Sequence, residues 1–164
     1  RWSPDGKQIA FIAIPDSQVP FTVGGLVVTD VDKVNPRWLG PADAGHGYAA
    51  NWSPDGTRIA YVVRENPDDE AADQSSEALV SNIYLVEVAS GQITRLTFFE
   101  EGYAETPHWS ADGNTLAFNV VINGRMNVFI ADVGAVGVGS SDPLPVEIKP
   151  LVTGPACCPA WMRK

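Results

Sequence analysis

The 164-residue sequence is poor in basic residues and in cysteine, and each shortage argues against a class of protein. Eleven lysine and arginine residues stand against 20 aspartate and glutamate residues, which gives a formal net charge of −9. Surfaces that bind nucleic acid or anionic lipid need clustered positive charge, so neither is expected as the main partner. Two adjacent cysteines, Cys157 and Cys158, do not make a metal cage by themselves, and a bond between them needs a strained ring. They are expected to be small apolar residues at a strand, with a vicinal disulfide or a reactive thiol as the alternative.

Long apolar runs and catalytic motifs are missing as well. No run of about 18 apolar residues occurs, so no membrane-spanning helix is expected. The sequence contains no Gly-x-Ser-x-Gly elbow, no His-Glu-x-x-His and no phosphate-binding loop. These absences weaken the case for an enzyme without closing it, since a pocket can also be assembled from scattered residues. No cofactor is predicted, with Ca²⁺ as a minor alternative discussed below.

A repeated segment dominates the sequence. Trp-Ser-Pro-Asp-Gly, followed shortly by Ile-Ala-Phe or Ile-Ala-Tyr, occurs at 2–11 and 52–61. It returns at 109–118 with Ala111 in place of the proline and leucine in place of the isoleucine. The three tryptophans are 50 and 57 residues apart, and Trp161 follows after another 52. Periods near 50 with strand-like content are typical of propeller blades.

The sequence of each unit predicts four strands. Ser-Pro-Asp-Gly is a tight-turn sequence, and the apolar strand after it needs cover on both faces, which stacked blades provide. A third strand ends in an acidic residue, and a fourth strand follows it. The sequence therefore predicts an all-β fold, a β-propeller segment of about three four-stranded antiparallel blades. The expected blades are roughly 1–48, 49–105 and 106–157, with 158–164 starting a further blade.

These residues carry a family resemblance. Trp-Ser-Pro-Asp-Gly, Ile-Ala-Phe/Tyr, Asn-Ile-Tyr-Leu at 82–85 and Arg-Leu-Thr at 95–97 resemble the WD-like repeat of TolB-type β-propellers. They are also similar to the propeller repeats of prolyl-oligopeptidase-like and tricorn-type proteases. The resemblance covers essentially the whole chain and implies a periplasmic or otherwise extracytoplasmic location. It leaves function open, because the repeated residues belong to turns and core.

Three blades cannot close a ring, because propellers usually have four to eight. Two arrangements solve this problem. The chain can be part of a longer polypeptide with further blades, or two copies can join head to tail as two half-propellers.

Polar residues ahead of the turn tryptophans are the predicted binding residues. They are expected on the innermost strand of each blade, which lines the axial channel. In this register Tyr48 and Asn51 correspond to Glu105 and His108. The alternative is that these side chains are merely solvated by channel water. No catalytic residue and no metal ligand is predicted.

An acidic insertion between two strands of the second unit is the other candidate. The segment 65–80 contains six acidic residues and no basic one. Such a loop is usually solvated, and the sharper interpretation is a docking loop for a basic partner, with Asp68, Asp69, Glu70 and Asp73 as candidates. It lacks the ligand spacing of a calcium loop, so Ca²⁺ is a minor alternative.

Two functions from different classes follow. The leading hypothesis is a non-catalytic, TolB-like propeller module, a scaffold for protein–protein interaction. The alternative is the gating or substrate-selecting propeller of a prolyl-oligopeptidase-like serine peptidase whose catalytic domain lies outside these residues. A third hypothesis is a propeller enzyme that binds a metal or a sugar at its channel mouth.

Overall fold

The computed structural model describes residues 1–44, 49–134, 136, 148–152, 156 and 159. The expected all-β fold is confirmed, because these residues form mainly antiparallel strands. The strands fall into three groups, called here blade 1, blade 2 and blade 3. Blade 1 contains β1 (Gln8–Ala13), β2 (Val23–Asp30) and β3 (Arg37–Asp43); blade 2 contains β4 (Asn51–Trp52), β5 (Arg58–Arg64), β6 (Ser81–Glu87) and β7 (Ile93–Arg95); blade 3 contains β8 (Tyr103–Trp109), β9 (Thr115–Ile122), β10 (Arg125–Asp132) and β11 (Ile148–Val152).

Each blade is an antiparallel meander. Strands β1, β2 and β3 pair in sequence order, and Trp2 bridges Ile9 at the inner edge of β1. Blades 2 and 3 repeat the same order and add an inner strand, which is two residues long in β4 and seven in β8. One parallel pair, Ser81 with Tyr103, connects β6 to β8. Between β5 and β6 the chain forms α1 (Glu70–Gln74) and a 3₁₀ turn (Ser76–Ala78).

The repeated turns have one hydrogen-bond network in three copies. In each, the serine hydroxyl donates to the aspartate Oδ1, which also accepts the backbone N–H two residues later. The glycine that closes the turn has a φ of +72 or +73°, which glycine adopts without strain. The third turn keeps this geometry with Ala111 in place of proline, because the second turn position needs no particular side chain. The Ser-to-Asp distances are 2.7 Å for Ser3–Asp5, 2.6 Å for Ser53–Asp55 and 2.6 Å for Ser110–Asp112.

Two hydrophobic layers hold the blades together. Strands that are apolar on both faces supply one face to each neighbouring layer, as expected for stacked sheets. Between blades 1 and 2 the buried side chains include Ala10, Leu26, Val28, Leu39, Trp52, Ile59, Tyr61 and Val86. Between blades 2 and 3 they include Ala60, Val62, Ile83, Leu85, Leu96, Trp109, Leu116, Phe118 and Val120.

The strand directions define two ends of the segment. The Ser-Pro-Asp-Gly turns and the β6–β7 connection lie at one end, called here the turn end. The insertion between β5 and β6, the β9–β10 hairpin and the start of β8 lie at the other, called here the insertion end. The acidic insertion therefore lies at the insertion end, whereas Asn51 and His108 lie toward the turn end of their strands.

Candidate functional site

The structure places three of the four predicted channel residues on inner strands. Asn51 begins β4, and Glu105 and His108 lie in β8. Tyr48 lies outside the described residues, as do Cys157, Trp161 and most of the further blade expected at 158–164. The geometry of the site therefore rests on β4 and β8.

A β-bulge brings Glu105 and His108 to the same face of blade 3. Glu105 pairs with Asn119 and His108 with Ala117, so two residues of β8, Thr106 and Pro107, oppose a single residue of β9. In a regular strand, residues three apart face opposite sides, and the bulge cancels this alternation. Thr106 has a φ of +46°, a conformation that β-branched residues rarely adopt. Strained bulges of this kind are common next to functional sites.

The side chains of Glu105 and His108 are both half-buried. Burial raises the pKa of the Glu105 carboxyl, and a hydrogen bond with Asn119 opposes that rise. Burial, followed by the positive charge of Arg1, lowers the pKa of the His108 imidazole. Both shifts favour the neutral forms, which can exchange hydrogen bonds with a polar ligand. This face is opposite to the one that packs on blade 2, which carries Leu116 and Phe118.

Asn51 connects two blades. Its side-chain amide donates to the Pro107 carbonyl oxygen at 2.6 Å and to the Ala49 carbonyl oxygen at 3.2 Å. Its own backbone carbonyl accepts a hydrogen bond from the Trp109 indole at 3.0 Å. The amide predicted to line the channel is thus used to hold β4 against the bulge of β8.

The acidic insertion is folded where the sequence suggested a solvated loop. Asp73 lies 2.9 Å from Nη1 of Arg64, and Asp43 lies 3.4 Å from Nη2 of the same guanidinium. The side chains of Arg64 and Asp43 are fully buried, and Leu79 is buried as well. The solvated-loop expectation is therefore wrong for Asp73, because its carboxylate forms an ion pair with Arg64 at the end of the apolar strand β5. The acidic segment 65–80 begins one residue after Arg64, so this arginine lies just outside it.

The other three acidic candidates are exposed at the insertion end. Asp69 caps the start of α1, because its carboxylate accepts the backbone N–H of Ala71 at 2.9 Å and the amide of Asn66 at 3.0 Å. Asp68 and Glu70 flank it and are exposed to solvent. These carboxylates are available to a partner, while Asp73 is committed to the fold.

A cleft that the sequence did not reveal lies at the insertion end, beside the start of β8. It has a volume of about 680 Å³ and is called here the mouth cleft. Three separate segments contribute to the cleft: the insertion, the start of β8 and the β9–β10 hairpin. No local sequence motif therefore predicts it. Its lining includes Ser76, Glu77, Glu101, Tyr103, Val121 and Met126.

The mouth cleft has an apolar floor and an acidic rim. Tyr103, Val121 and Met126 supply the floor, and Glu77 and Glu101 are exposed at the rim. Burial raises the pKa of the Tyr103 hydroxyl, which also hydrogen-bonds Ser76 and lies near the Glu105 carboxyl. Within the described part of the chain, no lysine or arginine lines the cleft. Such a lining suits an aliphatic chain that ends in a positive charge.

Two structural features were not found among the described residues, a cluster of metal-ligating side chains and a long apolar helix. Within the described ranges, no three His, Cys, Asp or Glu side chains are grouped so that they could hold a metal ion. In the same residues, no helix has the length and apolar character needed to cross a membrane.

Comparison with known proteins identifies structures with a similar fold. No protein-family model matches the chain. A segment of 67 residues is 37% identical to the uncharacterized peptidase YuxL of Bacillus subtilis, covering 41% of this chain and 9% of that protein. A TolB of Agrobacterium tumefaciens matches 86% of this chain with a TM-score of 0.59 and 24% identity, and a prolyl endopeptidase matches 94% with a TM-score of 0.63 and 18% identity.

These similarities confirm the propeller fold that the repeat predicts for this chain. The TolB, prolyl endopeptidase and tricorn protease structures all support it. The chain spans 44% of the TolB chain, 21% of the prolyl endopeptidase chain and 9% of the curated peptidase. At identities below 25%, the structural similarities show the fold alone. The partial propeller fits further blades or a partner domain.

Proposed function

We propose that this chain is part of a non-catalytic β-propeller module that binds a polypeptide partner, and that the mouth cleft binds a basic side chain of that partner. The observation that carries the proposal is the lining of the cleft, an apolar floor of Tyr103, Val121 and Met126 under the carboxylates of Glu77 and Glu101. A lysine or arginine side chain matches it, with an aliphatic stem for the floor and a charge for the rim.

Charge around the cleft supports a basic partner. Arg64 and Arg95 are cations at the insertion end, and each is paired, with Asp73 and with Glu65 respectively. Arg125 lies next to Met126 in β10, and Met126 lines the cleft. Because neighbouring residues of a strand point to opposite faces, the Arg125 side chain points away from the cleft. Asp68, Asp69 and Glu70 extend the negative surface along the insertion. Because of this field, we expect association with a basic peptide to be faster at low salt.

A binding titration tests the proposal. The full-length polypeptide is titrated with two fluorescein-labelled decapeptides, one alternating lysine with alanine and one alternating glutamate with alanine. We expect the lysine peptide to bind and the glutamate peptide not to bind. The double variant Glu77→Gln, Glu101→Gln should bind the lysine peptide about 2- to 30-fold more weakly, since two exposed pairs contribute about 0.4–2 kcal/mol.

A matched control separates the cleft from net charge. The double variant Asp32→Asn, Asp132→Asn makes the same charge change at the turn end, where both residues are exposed. It should leave the affinity for the lysine peptide within a factor of two. Equal weakening by both double variants would mean that net charge, and no particular site, attracts the peptide.

The specific observation in favour of a second function is the local similarity to a peptidase. In this alternative the blades belong to the gating or substrate-selecting propeller of a serine peptidase, and the mouth cleft receives a substrate segment. Labelling of the full-length polypeptide with a fluorophosphonate probe distinguishes the two functions. A labelled serine outside these residues favours the peptidase, and an unlabelled polypeptide that binds the lysine peptide favours the interaction module.

Assembly and location complete the proposal. Further blades, in the same polypeptide or in a second copy, would close the ring around the channel. The TolB-type resemblance of the repeat implies an extracytoplasmic location. Fractionation of cells that produce the full-length polypeptide tests this, and recovery with cytoplasmic markers would contradict it.

A further inference from the structure

One wall of the mouth cleft is formed by the insertion, and this wall is not part of a strand. Ser76 and Glu77 line the cleft from the 3₁₀ turn that follows α1. The other lining residues belong to β8, β9 and β10 or to the chain directly beside these strands. Because a helical turn of three residues has little stability of its own, the position of Glu77 depends on what holds the insertion.

Polar contacts hold the insertion at two places. At its base, the Asn66 side chain donates to the Ala78 carbonyl oxygen at 2.9 Å. Further out, the Asp73 carboxylate lies 2.9 Å from Nη1 of Arg64, and the Asp73 carbonyl oxygen accepts the Phe21 N–H at 3.1 Å. The contact at the base closes the loop, and the contacts of Asp73 fix α1 against blades 1 and 2.

Arg64 occupies a position that is apolar in the other two units. Counted from the turn tryptophans, Ile14 and Val121 are the equivalent residues. The Arg64 guanidinium is fully buried and also lies 3.4 Å from the fully buried Asp43 carboxylate. A buried ion pair often contributes no more stability than apolar residues of similar volume, so stability alone does not explain an arginine here. The arginine occurs in the blade that carries the insertion, and there it contacts α1 through Asp73.

Asp73 is close enough to Glu77 in the chain to determine where Glu77 lies. The N–H of Ser75, which caps α1, donates to the Ala71 carbonyl oxygen at 2.9 Å. The Ser75 hydroxyl accepts the Glu77 N–H at 3.2 Å. A continuous series of hydrogen bonds therefore leads from the helix that Arg64 holds to the residue at the rim of the cleft.

We propose that Arg64 is a positioning residue for the mouth cleft, and that through Asp73 and α1 it holds Glu77 at the rim. Arg64 is buried outside the lining of the cleft, so it acts through the insertion. The inference rests on the proposed function, because it concerns the same cleft. It adds that blades 1 and 2 together set the binding geometry, since Asp43 of blade 1 pairs with the same guanidinium.

A cycle of binding titrations with the lysine peptide tests the inference. In the full-length polypeptide, Asp73→Ala leaves the buried pair of Arg64 and Asp43 in place and removes the contact to α1. It should weaken binding about 2- to 5-fold, the effect expected from the loss of one exposed ion pair. Addition of Glu77→Gln to Asp73→Ala should weaken binding no further, because both changes remove the same interaction. Addition of Glu101→Gln should weaken binding further, and the same further loss in both double variants would overturn the inference.

Asp16→Ala is the matched control for charge. Asp16 is exposed in the connection between β1 and β2, at the insertion end, and its substitution makes the same charge change. This variant should leave the affinity for the lysine peptide within about a factor of two. If Asp73→Ala and Asp16→Ala weaken binding equally, net charge explains the effect and the inference is overturned.

Hydrogen exchange without peptide distinguishes this inference from the proposed function. The Ser75, Ala78 and Leu79 amides are hydrogen-bonded within the insertion. Asp73→Ala should accelerate their exchange about tenfold or more, because a hydrogen bond to a charged group is lost, and Asp16→Ala should not. Unchanged exchange in Asp73→Ala overturns the inference whether or not the peptide binds. If the wild type does not bind the lysine peptide, the proposed function fails, and exchange alone then decides whether Arg64 positions Glu77.

Discussion

A buried ion cluster joins the insertion to two blades, and its disruption is the sharpest test of the fold. Arg64 ends β5, Asp43 ends β3 and Asp73 belongs to α1. The guanidinium lies 3.4 Å from the Asp43 carboxylate and 2.9 Å from the Asp73 carboxylate. One side chain therefore connects blade 1, blade 2 and the helix of the insertion.

The expected cost of Arg64→Met follows from burial. Arg64 and Asp43 are fully buried, so removal of the arginine leaves a buried carboxylate without its cation. Loss of one partner of a buried pair costs about 3–5 kcal/mol, because the remaining charge is poorly solvated. Methionine occupies most of the volume of the arginine stem, so the loss should come mainly from charge.

Urea unfolding of the full-length polypeptide measures this cost. Arg125→Met is the matched control, because Arg125 is exposed in β10 and should change the free energy of unfolding by less than about 0.5 kcal/mol. Addition of Asp43→Asn to Arg64→Met should recover part of the loss, since it removes the buried charge that Arg64 had balanced. If Arg64→Met is as mild as Arg125→Met, the cluster does not hold the insertion and the reasoning is refuted.

Three further predictions concern the repeat. Tyr61→Phe should be neutral or stabilising by up to about 1 kcal/mol in urea unfolding, because the Tyr61 hydroxyl is buried and has no hydrogen-bond partner among the described residues. A clear loss of stability would contradict this. Trp52→Ala should cost about 3–5 kcal/mol in the same assay by opening a cavity between blades, and a cost below about 1 kcal/mol would contradict the packing. Hydrogen bonds from Ser110 and from the Asn114 backbone lower the pKa of Asp112 below its ordinary value of 3.8. This group therefore stabilises the fold above about pH 4, and the stabilisation is lost as the pH falls through the lowered pKa. The difference in the free energy of unfolding between the wild type and Asp112→Asn should be smaller at pH 3 than at pH 7. A difference that does not change with pH would refute the turn network.

The strands and turns could be predicted because their signals are local. The turn depends on four consecutive residues, and three copies such as 53–56 reinforce one another. Apolar strands such as β5 and β9 follow directly after these turns, so their positions and pairing were fixed by short-range geometry. The third turn keeps its structure without proline, which shows that Ser110, Asp112 and Gly113 carry the geometry.

The parts that could not be predicted depend on three-dimensional geometry that a residue pattern does not specify. Asp73 looked like one member of an exposed acidic run, and only the fold brings it to Arg64. The bulge at Thr106 shifts the register of β8 by one residue, which a strand pattern of period two cannot reveal. The mouth cleft combines residues between 76 and 126, so no single segment of the sequence predicts its volume or its acidic rim.

The central claim is that a basic side chain of a partner binds in the mouth cleft, and a structure of the complex tests it most directly. The full-length polypeptide would be crystallised or imaged with the lysine–alanine decapeptide. We predict a lysine stem against Tyr103 and Met126, with its ammonium group between Glu77 and Glu101. A peptide bound elsewhere, with this cleft empty, would contradict the account.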